Sequence, residues 1–259
     1  MWGARRLWHH TCGRSSAASI RGKLLHIAAT RLGRTGRLFM PQLGAVADGH
    51  SVAYSHDLEF ELLFALDELG APHSRAYPLV KPIHIGPRVW SDASFEPLPH
   101  PSMRICVIIA NQSSKEGVVC DLPKELFARL LPRKSQIMFG EIYAIPIALR
   151  HYPDIIRDES LIAFIDNMAV VHVLANGIAH GADIANVTAA VHHSLANLAA
   201  TAWWEYVNTK SNIADGGSRV GTSCPDARAL GIHLRQIPCP APPPSFPYAR
   251  PHEWRAFFP

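Results

Sequence analysis

The spacing of apolar positions divides the chain into stretches of different period. Ile20, Leu24, Leu25, Ala28 and Leu32 have the spacing of a short basic amphipathic helix within Ile20 to Met40, punctuated by Gly33 and Gly36. Leu58, Leu62, Leu66 and Leu69 fall on one stripe with acids on the other side, and Gly70 stands where a C-cap belongs, which predicts a helix over 57–69. Pro72, Pro78, Pro82 and Pro87 then mark 71–87 as a linker. From residue 88 the texture changes to strands alternating with helices. Arg88 to Ser94, Met103 to Ala110 and Gly117 to Cys120 read as adjacent strands with short connections, hence an antiparallel meander.

A helix follows at Phe139 to Arg150, then an apolar strand from Leu161 to Ile165 and a helix from Met168 to Asn176 closed by Gly177. Ile184, Val187, Val191, Leu195 and Leu198 give Asp183 to Ala200 a helical period, and Trp203 to Val207 reads as the last strand. A buried strand flanked by helices calls for parallel pairing. The order βββαβααβ therefore predicts an α/β fold with a five-stranded mixed sheet, three antiparallel strands plus two parallel, flanked by helices. A further helix is expected near Asp215. Nine of the 21 prolines lie beyond Gly221, so 221–259 reads as a Pro-rich tail that packs extended or stays mobile. The chain thus divides into a basic arm with a short helix (1–50), a connecting helix and linker (51–87), the α/β domain (88–220) and the tail.

Composition bounds what this organisation can do. A chain of 259 residues that is 48% hydrophobic can bury a full core. No run of eighteen apolar residues occurs, which argues against a membrane span. Cys12, Cys106, Cys120, Cys224 and Cys239 are scattered and form no CxxC pair, which argues against a disulfide framework and a zinc site and favours a reducing intracellular compartment, cytoplasm or nucleus. Residues 1–47 carry eight Lys or Arg and no acid, so the rest of the chain is net −4 within a total of +4. Such an arm suits non-specific phosphate contact, and its Arg- and Ser-rich, acid-free character is also that of a transit peptide. Among fifteen histidines, His9-His10 and His192-His193 lack metal-ligand spacing and read as surface residues. Trp203-Trp204 on a strand should place one ring in the core.

Four acids stand out by context. Asp92 lies inside a strand, where an acid is disfavoured and is rarely buried without a partner. Asp166 ends the apolar strand, the kind of carboxyl end at which open α/β sheets place ligands. Glu141 opens a helix and Asp215 follows the last strand by a short polar loop. With the first and fourth strands as neighbours, Asp92 and Asp166 converge near the sheet centre and Glu141 reaches in from the adjoining helix. Gathered carboxylates repel one another and have raised pKa values unless divalent cations neutralise them, and oxygen ligands suit Mg²⁺ or Mn²⁺. Taken singly, each acid has a plainer reading: a helix start, an N-cap, a turn residue, a misassigned strand.

The segments around these acids are Ser91-Asp92-Ala93-Ser94, Gly140-Glu141-Ile142-Tyr143-Ala144-Ile145, Ile165-Asp166-Asn167-Met168-Ala169-Val170 and Ser211-Asn212-Ile213-Ala214-Asp215-Gly216-Gly217-Ser218-Arg219, with acids 49, 25 and 49 residues apart. In that order they resemble the ribonuclease H domain of retrotransposon reverse transcriptases, the gypsy and DIRS types above all. The resemblance covers about residues 88–220, and Arg21-Gly22-Lys23-Leu24-Leu25 and the helix at 57–69 look similar to the connecting helices upstream of that domain. No Tyr-x-Asp-Asp polymerase signature occurs, so the chain looks like the C-terminal piece of a reverse transcriptase whose polymerase is separate or lost.

The resemblance implies a ribonuclease H-like fold and hydrolysis of the RNA strand of RNA·DNA hybrids with two divalent ions, Mg²⁺ or Mn²⁺, held by Asp92, Glu141, Asp166 and Asp215 as catalytic and metal-binding residues. It implies hybrid recognition by groove shape and 2′-hydroxyls, with Ser94, Asn167, Ser218 and Arg219 as nucleic-acid contacts. Two departures stand against it: Asn208 to Ala214 contains no His, and Pro146 interrupts the Glu141 helix, where it removes an amide and threatens a kink. The alternative is a catalytically degenerate ribonuclease H-like domain that only binds nucleic acid. An integrase or transposase would place its acids in the order Asp, Asp, Glu, whereas Glu141 here comes second of four.

Overall fold

The computed structural model describes residues 13–27, 41–50, 55–70, 86–97 and 101–258. The first twelve residues, with His9-His10 and much of the basic arm, lie outside the described residues, as do 28–40 and the linker at 71–85.

Six strands form one mixed sheet in the order β5-β4-β1-β2-β3-β6. The three antiparallel strands are β1 (Arg88–Glu96), β2 (Ser102–Ala110) and β3 (Lys115–Asp121). Parallel pairing adds β4 (Ser160–Ile165) beside β1 and β5 (Thr201–Tyr206) beside β4. These are the five expected strands in the expected mixture. The sixth, β6 (His233–Gln236), pairs parallel to β3 and was not foreseen. It has four residues, of which Leu234 alone is buried, too short for alternation to register. The sheet consequently continues into the segment taken as a tail, beyond the 88–220 boundary.

Helices cover the sheet on both sides. Before it come α1 (Arg14–Ile27), α2 (Pro41–Ala47) and α3 (His56–Gly70). After β3 come the single turn α4 (Lys124–Phe127), then α5 (Ile137–His151) and the turn α6 (Pro153–Ile156). Helix α7 (Met168–Asn176) ends at Gly177, whose φ of 65° is the left-handed conformation that a helix C-cap requires. Next are α8 (Ala182–Asn197), α9 (Asp215–Val220), α10 (Pro225–Ala229) and α11 (Pro251–Trp254). On one face Val89, Ile105, Val107 and Ile109 of the sheet pack against Phe139, Ile142, Ile145 and Leu149 of α5, with α8 behind. On the other, Cys106, Ile108 and Val119 meet Ala214, Cys224, Ala227 and Leu234. Strand β1 is therefore buried on both sides through Ser91, Asp92 and Ala93.

The Pro-rich tail is part of the core. Phe246, Ala249, Trp254 and Phe257 join the cluster between α5 and α8. Trp254 Nε1 donates to Asn186 Oδ1 at 2.9 Å, Asn186 Nδ2 donates to the Ala249 carbonyl at 2.6 Å, and the Tyr143 hydroxyl donates to the Pro240 carbonyl at 2.8 Å. Prolines carry no N–H to satisfy, so this segment can pack without a ladder provided its carbonyls find donors. Arg129 supplies several, reaching the carbonyls of Pro243, Pro244 and Phe246.

The N-terminal helices form a second core of Ala17, Leu24, Leu43, Val46, Leu58, Phe64 and Ala65, closed by Ala189 of α8. The expected stripe on α3 is rotated: Leu66 is 62% exposed whereas Glu61, assigned to the polar side, is buried. The reason is polar. Glu61 accepts the backbone N–H groups of Gln42, at 2.9 and 3.0 Å, and Leu43, at 3.1 Å, and so caps the start of α2. His192 and His193 also depart from expectation, being buried rather than at the surface, because α8 touches both cores. Trp204 packs inward and Trp203 is 65% exposed, as strand alternation requires. No helix among the described residues is long and apolar enough to cross a membrane.

Candidate metal centre

Asp92 and Asp166 are brought together by strand register. Ser91 of β1 is paired with Ile165 of β4, and each acid is the next residue along its parallel strand. Asp215, the first residue of α9, approaches the same point from the sheet face that Cys106 and Trp90 share. One carboxylate oxygen from each of Asp92, Asp166 and Asp215 lies within 4.8 Å of the others. Asp92 is buried and the other two are half-buried, so the triangle opens to solvent on one side.

The position of α9 rests on close contacts. A Cβ at Gly217 would overlap Cys106 Sγ and sit 3.2 Å from Leu234 Cδ1, so only glycine lets the helix approach β2 this closely. Asn212 is buried; its Nδ2 donates to the Ser91 carbonyl at 3.0 Å and its Oδ1 accepts from the Ala214 N–H at 3.2 Å. Ser94 Oγ donates to the Ser218 carbonyl at 2.7 Å. The Ser218 hydroxyl is fully buried and donates to Asp92 Oδ2. Asn212 and Gly217 lie within the Ser211 to Arg219 motif, but the roles of a buried Asn and of a glycine are legible only once their neighbours are known.

Glu141 enters from the opposite face. Helix α5 begins at Ile137, so Glu141 is a full turn inside it and is no helix-start residue. The helix runs unbroken through Pro146 to His151. A Cβ at Gly140 would overlap Met103 Sδ and lie 2.8 Å from Ala93 Cβ, which explains why the residue before Glu141 is a glycine. Glu141 is 6% exposed; Oε1 accepts from Asn167 Nδ2 at 3.1 Å, while the buried Oε2 has no hydrogen-bond partner among the described residues. It lies outside the close triangle but within the electrostatic reach of Asp166 and Asp92.

Burial dominates the titration of the two deepest acids of this centre, Glu141 and Asp92. It pushes Glu141 up to about 8, with the charges of Asp166 and Asp92 adding to the effect and the Asn167 bond opposing it. Burial likewise raises Asp92 to about 7; the Ser218 bond pulls it down while Asp166 and Asp215 push it up. Among the described residues no cationic side chain pairs with Asp92 or Glu141; Arg219 reaches only Asp215. The donor set is all oxygen, and Glu141 Oε2 is a buried polar atom that nothing among the described residues satisfies, which together fit a hard divalent cation such as Mg²⁺ or Mn²⁺.

The residues expected to face nucleic acid also make contacts within the fold. Ser218 is buried against Asp92, Ser94 ties β1 to α9, and Asn167 both caps α7, accepting from the Ala169 N–H at 3.0 Å, and supports Glu141. These three hold supporting positions around the acids, each short polar side chain having a partner inside the fold. Arg219, with a side chain 64% exposed, pairs with Asp215. Compared with protein-family models and with curated proteins, the chain matches none.

Proposed function

We infer that the protein is a metal-dependent endoribonuclease of ribonuclease H-like fold that hydrolyses the RNA strand of RNA·DNA hybrids and is related to retroelement reverse transcriptases. The observation carrying this reading is the meeting of Asp92, Asp166 and Asp215 within 4.8 Å at the solvent-facing end of a parallel strand pair. The four sequence motifs and the strand order β5-β4-β1-β2-β3, with antiparallel and parallel members, support the fold assignment.

Asp92, Asp166 and Asp215, with Glu141 beside them, would hold two Mg²⁺ or Mn²⁺ ions. When bound, such ions neutralise the carboxylates and stabilise charge developing on a phosphoryl oxygen during in-line displacement. The chain's own contribution is preorganisation. Ser218 fixes one oxygen of Asp92, Asn167 fixes one of Glu141, and strand register fixes Asp166 against Asp92. In the net reaction water adds to phosphorus, the bond from phosphorus to the 3′ oxygen breaks, and that oxygen takes a proton, leaving 3′-hydroxyl and 5′-phosphate ends.

The test is cleavage of a labelled RNA·DNA duplex by the full chain with Mg²⁺ or Mn²⁺, beside Asp166→Asn. Cleavage lost in the variant supports the reading. Equal products from both proteins, or none at high enzyme, overturn it. Hybrid binding without cleavage would support the degenerate, binding-only domain instead.

A further inference from the structure

Asp215 already holds a cation of the chain's own. Arg219, one helical turn further along α9, places Nε 3.0 Å from both Oδ1 and Oδ2 of Asp215 and Nη2 2.8 Å from Oδ1. The fork engages both oxygens of the carboxylate that also contributes to the acidic triangle. Asp215 cannot offer these oxygens fully to an external ion while this arrangement lasts.

The arginine is anchored at its backbone and exposed at its tip. Its carbonyl accepts from Arg104 Nη1 at 3.3 Å, and the preceding Ser218 is buried, so α9 cannot shift easily. The side chain itself is 64% exposed, against 27% for Asp215, so the guanidinium can swing into solvent without leaving a cavity. A monovalent partner on a half-exposed acid is held weakly. A divalent ion drawing on several carboxylates competes well for the same oxygens.

We propose that Arg219 is a displaceable counter-ion: it occupies Asp215 until a divalent cation does, and so sets the cation concentration at which the site fills. This rests on the metal-binding part of the reading above. In the cation-free protein the arginine offsets repulsion among the three acids. Cation uptake and release of the guanidinium are then a single exchange, with α9 unmoved.

The experiment is a Mn²⁺ titration of the full chain at low ionic strength, followed by calorimetry and by the resonance of free Mn²⁺, for the wild type, Arg219→Gln and Arg219→Lys. Circular dichroism checks that the exposed substitutions leave the fold intact. Arg219→Gln should fill at about 1.5- to fivefold lower Mn²⁺, the scale of a partly exposed carboxylate pair. Arg219→Lys, which keeps the charge but loses the planar fork, should fall between it and the wild type. In the wild type, the Arg219 Nε–H signal should move in step with Mg²⁺ occupancy.

Equal or weaker Mn²⁺ binding by Arg219→Gln would mean that the arginine only steadies Asp215, and would overturn the proposal while leaving the nuclease reading intact. A lysine variant identical to the wild type would leave net charge as the sole effect and would also overturn it. If none of the three proteins binds Mn²⁺, the proposal and the metal-dependent reading fall together.

Discussion

Ser218 donates its hydroxyl to the buried Asp92 carboxylate from the same short helix whose first residue is Asp215. One helix thus supplies one acid of the triangle and orients another. Removing the hydroxyl leaves a buried carboxylate short of a donor, a loss worth about 1–3 kcal/mol. Ser218→Ala should therefore lower the denaturation midpoint. Because the lost bond favoured the ionised form of Asp92, it should also weaken Mg²⁺ binding more at about pH 7 than at about pH 8.5. Mg²⁺ titrations at the two pH values check this; an equal loss at both would disprove the coupling.

The pH dependence of stability has a definite sign. Asp92 and Glu141 titrate near 7 and 8 in the folded protein, above their ordinary values of 3.8 and 4.5. Groups with raised folded pKa values contribute stability that is complete below the unfolded pKa and is lost as pH rises through the folded one. The cation-free protein should lose stability steadily as pH rises from about 4, where the two carboxyls ionise in the unfolded chain, to about 8, where they ionise in the folded one. Divalent ions bind the ionised forms, so the stabilisation by Mg²⁺ should grow over the same interval. Thermal melts with Mg²⁺ and with a chelator provide the measurement.

Gly140 lets α5 lie against β1 and β2 closely enough for Glu141 to reach the other acids. Gly140→Ala inserts a methyl group against Met103 and Ala93, which should cost about 1–3 kcal/mol through overpacking. If hybrid cleavage depends on Glu141, activity should fall further than the loss of folded protein explains. Activity per folded molecule, with folding measured by near-ultraviolet circular dichroism, separates the two effects.

Trp254 is fully buried and hydrogen-bonded to Asn186, some 68 residues earlier in the chain. Trp254→Ala should destabilise the protein by about 3–5 kcal/mol, since it opens a cavity and strands the Asn186 amide. A fragment ending at residue 220 should fare worse, because it also lacks β6 and uncovers Phe139 and Tyr143. Urea denaturation of the variant and limited proteolysis of the fragment test both statements.

The sequence by itself determined the five longer strands, most of the long helices and the order of the four acids, because each of those elements is an apolar run long enough for its length or period to show between turn residues. Asp92 was conspicuous for the same reason, as an acid inside a strand pattern. Only the tertiary structure decided what lies where two faces are buried or where an element is too short to repeat. Helix α8 touches both cores, so its histidines are covered although their side of the helix reads as polar. Four-residue β6 is a strand because β3 offers it a ladder. The Pro-rich segment packs because Arg129 and Tyr143 donate to its carbonyls, partners more than ninety residues away. Ser218 and Arg219 are adjacent and both polar, yet one is sealed against Asp92 and the other reaches through solvent to Asp215. Burial of a polar side chain is set by what folds over it, and that is a long-range property no local pattern contains.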